Sequence, residues 1–105
     1  MGRTRPRPKR LAEKLRQIRL ALGLSQTEML KHLGLEEEMQ YARISEYETG
    51  QREPSLLTLL EYSRVAGVHM EALVDDELDL PDKLPGTAQH ETIKRQYAPR
   101  RKAKR

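Results

Sequence analysis

The sequence predicts an all-α domain of five short helices over residues 9–80, between a basic N-terminal arm (1–8) and a basic C-terminal tail (81–105). Three observations carry this. Apolar residues recur at spacings of three and four, the period of one helix face. Gly23, Gly34, Gly50 and Gly67 each fall just past such a stripe, where a left-handed residue closes a helix. No stretch alternates with period two over several residues, so nothing reads as a strand.

Leu11, Leu15, Ile18 and Leu22 mark the first amphipathic helix, and Gly23 stops it. Ser25-Gln26-Thr27-Glu28 has the form S-x-x-E, a capping box that satisfies orphan amides at a helix start. The second helix it opens carries Met29, Leu30 and Leu33 and ends at Gly34. From Glu36 to Thr49 the pattern is again helical, with Ile44 and Tyr47 inward and Met39 or Gln40 one turn earlier. Pro54 disfavours helix at the residue before it, and Ser55 is a good N-cap for a fourth helix marked by Leu56, Leu59, Leu60 and Ala66. A last helix runs from Met70 to Val74. Asp75-Asp76-Glu77 then reads as a solvated acidic end to the regular structure.

A chain of 105 residues has room for one domain. Gly2 to Arg10 holds five cations and two prolines without an apolar side chain, and Pro81 to Arg105 has few apolar residues. Neither buries enough apolar surface to offset the entropy of ordering, so both are expected to be disordered. About 70 residues remain to build a core, a size that keeps only a few kcal/mol in hand.

The absence of cysteine excludes disulfides, thiolate nucleophiles and cysteine-bearing zinc sites. No apolar run approaches the roughly 20 residues of a membrane span, and the N-terminus lacks the apolar region of a secretory signal. A cytoplasmic protein is expected. The net charge is +4, but residues 1–10 carry +5, residues 81–105 carry +6, and residues 11–80 carry −7. Basic arms point to a polyanion, usually nucleic acid, although arms of this kind also serve solubility alone.

Several short motifs occur in order: Leu22-Gly23-Leu24-Ser25-Gln26, Leu33-Gly34-Leu35, Ile44-Ser45-Glu46-Tyr47-Glu48-Thr49-Gly50, Arg52-Glu53-Pro54-Ser55 and Ala66-Gly67-Val68. Each is weak alone. Together they resemble the helix-turn-helix domain of phage-repressor, Cro and Xre-type transcription regulators. The resemblance implies a five-helix lambda-repressor-like DNA-binding domain whose second helix crosses the DNA backbone while the third lies in the major groove. On that pattern Gln26 meets a phosphate oxygen, and Tyr41, Ala42, Arg43, Ser45 and Glu46 face the bases. Arg43 suits a guanine, Ala42 a thymine methyl and Glu46 a cytosine amine. Arg52 sits where family members often place a phosphate contact. Each also has a plainer reading as a surface or helix-start residue. The resemblance further implies a structural ion pair between Arg19 and Glu48.

Two features depart from the family. Gly34 to Ile44 is ten residues where about six are usual, and the insertion contains Glu36, Glu37 and Glu38, which would repel phosphates. Leu30 replaces a usual alanine where the second and third helices touch.

Nothing suggests catalysis, a metal or a cofactor. His32, His69 and His90 lie far apart, and Asp75, Asp76, Glu77 and Asp79 lack the spacing and turn glycine of a calcium loop. The expected partner is double-stranded DNA, read by a homodimer, with a repressor as the leading regulatory role. Met70, Leu73, Val74, Leu78 and Leu80 are the candidates for a dimer face, or else they close the monomer's own core. The rival reading is a protein-interaction module of the same fold, an antitoxin or co-regulator with weak or no DNA specificity.

Overall fold

The computed structural model describes residues 6–86. The cations Arg3 and Arg5, most of the C-terminal tail and His90 lie outside the described residues. Among those described, five helices and no strand occur: α1 (Leu11–Leu22), α2 (Gln26–His32), α3 (Ala42–Glu48), α4 (Leu56–Ala66) and α5 (Met70–Val74).

Helix α1 presents Leu11, Leu15, Ile18 and Leu22 to the centre of the domain, where they meet Met29 and Leu30 of α2, Ile44 and Tyr47 of α3, and Leu59, Tyr62 and Ala66 of α4. Leu73 of α5 closes this core from the far side. Gly23 ends α1 at φ +71°, and its N–H bonds the Leu20 carbonyl at 3.1 Å. Ser55 opens α4, its hydroxyl accepting the Thr58 N–H at 3.2 Å.

Helix α3 is shorter than the pattern from Glu36 suggests. Residues 36–38 form a turn in which the N–H groups of Glu38 and Met39 both bond the Leu35 carbonyl, at 3.0 and 3.1 Å. Leu35 and Met39 pack on the core from this turn, four residues apart as they would be on a helix. One helical turn therefore mimics the periodicity of a longer helix. Leu30 is buried in the same core against which Leu35 and Met39 of the longer connection pack.

Burial in α4 also differs from expectation. Leu56 is 72% exposed and Leu57 75%, while Tyr62 is fully buried. The inward stripe keeps the expected Leu59 and Ala66, adds Tyr62, and begins one turn after Leu56. Of the five apolar residues considered for a dimer face, Leu73 and Leu80 lie in the core and Met70 is half-buried, leaving Val74 and Leu78 exposed. Packing continues beyond Leu80, because Leu84 is buried against the same cluster.

Two polar clamps join the start of α1 to the end of α5, and no motif in the sequence marks them. Lys14 is fully buried, its ammonium donating to the carbonyls of Ala72 at 2.8 Å and Asp75 at 2.9 Å. A cation there satisfies acceptors left open at the C-terminus of α5 and complements that end's partial negative charge. Asp76, expected in solvent, accepts the backbone N–H groups of Lys9 at 2.9 Å and Arg10 at 3.0 Å. Those two bonds hold its carboxyl below the usual range. Arg10 returns the contact by donating to the Asp76 carbonyl and to Asp79.

Candidate nucleic-acid interface

The second and third helices are fixed by local chemistry at both ends of their connection. The Ser25 hydroxyl accepts the Glu28 N–H at 3.1 Å and the Glu28 carboxylate accepts the Ser25 N–H at 2.8 Å, closing the capping box that starts α2. After α3, the Glu46 carbonyl accepts the N–H groups of Gln51 and Arg52 at 2.9 and 3.2 Å. That folds the following loop back onto the helix end.

Helix α3 divides by face. Ile44, Tyr47 and Glu48 point inward, while Tyr41 and Ala42 are exposed and Arg43, Ser45 and Glu46 are partly so. Tyr47 donates its hydroxyl to the Met39 sulfur at 3.7 Å, tying the inserted turn to α3. Glu36, Glu37 and Glu38 are exposed on that turn.

Arg19 and Glu48 meet in a two-point contact: Nε donates to Oε2 at 2.7 Å and Nη2 to Oε1 at 3.0 Å. Nη1 of Arg19 also donates to the Leu24 carbonyl at 3.0 Å. The Glu48 side chain is only 3% exposed, so its charge depends on this partner. Donation to the Glu48 carboxylate raises the Arg19 pKa further above its already high value. Beside the pair, burial and then the Glu48 charge push the Tyr62 phenol well above its ordinary range, so it stays protonated. Gln26, at the head of α2, donates to Glu48 Oε1 at 3.5 Å. A single buried carboxylate thus links α1, α2 and α3.

On the exposed side, Glu46 Oε1 accepts Arg52 Nε at 2.9 Å and lies 3.3 Å from Arg43 Nε. All three side chains are at least a third exposed, and pairs of that kind contribute under about 1 kcal/mol. They can be exchanged for a phosphate or a base edge at small cost.

A family model described as helix-turn-helix matches residues 15–73, from the middle of α1 into α5. The chain belongs to the Cro/C1-type helix-turn-helix family. Comparisons with curated proteins and with solved structures gave no match. This helix-turn-helix protein is accordingly a DNA-binding regulator. Its described helices include none long and apolar enough to cross a membrane.

In the helix-turn-helix unit, the residues singled out from the sequence fall into two groups. Arg43, Glu46 and Arg52 are joined directly, with Tyr41, Ala42 and Ser45 on the same short helix or its N-cap. Gln26 stands apart from this group and donates to the buried Glu48 instead. The N-terminal arm comes nearer to the group than the sequence indicates: Arg7 pairs with Glu53 at 3.8 Å. Arg7, Lys9 and Arg52 also line one shallow cavity of about 290 Å³ beside Tyr47 and Gly50. No pattern along the chain announces that proximity; the Asp76 clamp on Lys9 and Arg10 holds the adjoining residues.

Proposed function

We propose that this helix-turn-helix protein is a sequence-specific transcriptional regulator, a repressor, that reads the major groove with the helix around Tyr41–Thr49. The supporting observation is the composition of the outer face of α3: an exposed aromatic ring, a small apolar side chain and a partly exposed arginine, backed by Ile44 at 0% exposure. Arg43 takes a guanine edge, Ala42 a thymine methyl, and Tyr41 and Ser45 flank them. Gln26 and Arg52 take phosphates on either side and set the register of the helix. Glu46 completes the surface. The protein acts in the cytoplasm as a homodimer on an inverted repeat, with half-sites about one helical turn apart.

Selection from a randomised duplex pool at about 150 mM salt tests this reading. Enrichment of an inverted repeat is the expected result. Retention without enrichment would mean that phosphates are bound and no sequence is read.

A second reading, a protein-interaction module of the same fold, draws on Leu56 and Leu57, which are more exposed than any other large apolar side chain described. Leu56 and Val74 line an open groove of about 490 Å³ with Pro6, Pro8 and Pro54. On that reading the randomised pool is not retained at all.

A further inference from the structure

The charge distribution on α3 contains a carboxylate where a DNA-facing surface should avoid one. Glu46 lies between two arginines and puts the same oxygen, Oε1, against the Nε of both. A carboxylate serving as a base reader needs its lone pairs turned to an exposed base amine. Here Oε1 accepts the Arg52 Nε–H at 2.9 Å and forms an ion pair with Arg43 Nε at 3.3 Å. The contacts run through Nε, so the terminal amino groups that grip a guanine edge or a phosphate are not spent on Glu46. The backbone reinforces the arrangement, because the Glu46 carbonyl also accepts the Arg52 N–H at 3.2 Å. Arg52 is therefore fixed to residue 46 at two points, and Arg43 is fixed to the same side chain one helical turn earlier.

We propose that Glu46 is a positioning residue that sets the base contact of Arg43 and the phosphate contact of Arg52 in one register, and that it reads no base itself. This rests on the DNA-reading function proposed above. A long arginine freed of such a brace samples many rotamers, and each ordered one carries an entropic cost. Bracing both guanidiniums on a single carboxylate reduces that cost for the matched site. It also lowers the local positive charge, which weakens attachment to DNA of any sequence. Specificity then rises at the expense of non-specific affinity.

The test compares the full-length protein with Glu46→Ala, Glu46→Gln and Arg43→Ala, each checked for an unchanged far-ultraviolet spectrum and melting transition. Each is selected on the randomised duplex pool and titrated with a random-sequence duplex. The positioning role predicts that Glu46→Ala loses about threefold in preference at the same base pair where Arg43→Ala loses about tenfold or more, since a half-exposed brace is worth less than the arginine–guanine contact it orients. No new base is preferred there, and random duplex binds several-fold more tightly. Glu46→Gln retains an acceptor for Nε–H and keeps part of the preference.

A Glu46→Gln protein that acquires a preference for adenine at a pair of its own would overturn the proposal, because the side chain would then be reading a base. Unchanged selection by Glu46→Ala would overturn it equally. If the unaltered protein itself enriches no sequence, the function it rests on fails and the proposal fails with it. The two failures are told apart by the unaltered protein's own selection.

Discussion

Removing the Arg19 side chain should be the most damaging single change to this fold outside the apolar core. Arg19→Ala deletes the two bonds to Glu48, at 2.7 and 3.0 Å, and the bond to the Leu24 carbonyl. What remains is a carboxylate with 3% exposure, with the Gln26 amide 3.5 Å away and the Tyr62 ring packed in the same core. Breaking a buried pair and leaving one charge behind costs about 3–5 kcal/mol. A domain of this size keeps only a few kcal/mol in hand, so the variant loses most of its stability. At about 4–8 °C per kcal/mol, the midpoint should fall by at least about 10 °C. Urea denaturation followed by circular dichroism at neutral pH measures the loss, with an unchanged slope showing that the two end states are comparable. A control separates mechanism from size: Arg19→Met with Glu48→Leu should cost less than Arg19→Ala alone, because no orphaned charge is left. A loss under about 1 kcal/mol for Arg19→Ala, the value of an exposed pair, would refute the reasoning.

Other expectations follow from the clamps and the arm. Lys14→Met keeps the apolar stem and removes the donor to Ala72 and Asp75, so a loss of about 1.5–3 kcal/mol in chemical denaturation is expected. Asp76 has a lowered folded-state pKa, so its contribution is complete above the unfolded value near 3.9 and is lost as pH falls through the folded value. Asp76→Asn should therefore be less stable at pH 7 and lose less of its melting temperature on acidification; curves parallel to the parent's at every pH would contradict this. Gly67→Ala meets a φ of +75° and would set a Cβ 2.7 Å from the Gly86 nitrogen. More than about 1 kcal/mol should be lost in a melting experiment. Deleting residues 1–8 should weaken binding to the selected duplex at least tenfold, as read by titration at about 150 mM salt.

Most helix limits were legible because the chain marks them with chemistry that acts locally. Ser25 and Ser55 accept amides at the starts of α2 and α4, and Gly23 and Gly67 take the left-handed conformation at the ends of α1 and α4. The start of α3 was not legible, since Leu35 and Met39 carry helical spacing through a single turn. Leu56 was misplaced for the opposite reason: it fits an apolar stripe in sequence, but the buried positions begin one turn later at Leu59 and continue through Tyr62. Lys14 had left a signal, lying inside the stripe from Leu11 to Leu22 where a cation has no place unless it finds acceptors. Asp76 left none, because its partners are backbone amides 66 and 67 residues away. For the residues proposed to meet DNA, the family motif supplies the residue types, and the connections among them come only from the fold. Glu46 reads as a free carboxylate along the chain, and only the folded loop brings Arg52 to it.

The charge pattern decides which part of the protein must supply affinity. Residues 11–80 carry −7, and Arg43 and Arg52, the cations proposed to meet DNA, share Glu46. Two half-neutralised arginines provide little general attraction. Residues 1–8 add Arg3, Arg5 and Arg7, of which Arg7 already lies beside the α3–α4 loop through Glu53. Each neutralised phosphate contributes about 0.9 to the slope of log affinity against log salt, which near 0.15 M is roughly fivefold in affinity. Two such contacts exceed tenfold comfortably, and all three would change the slope by about 2.7 for each protomer. The truncated protein should therefore show a shallower salt dependence as well as weaker binding, with its base preferences unchanged. Weaker binding at an unaltered slope would place the loss in folding, through the nearby Asp76 clamp. An unaltered affinity would mean that the acidic domain finds its attraction to DNA elsewhere, with the cations after Pro81 next to be removed.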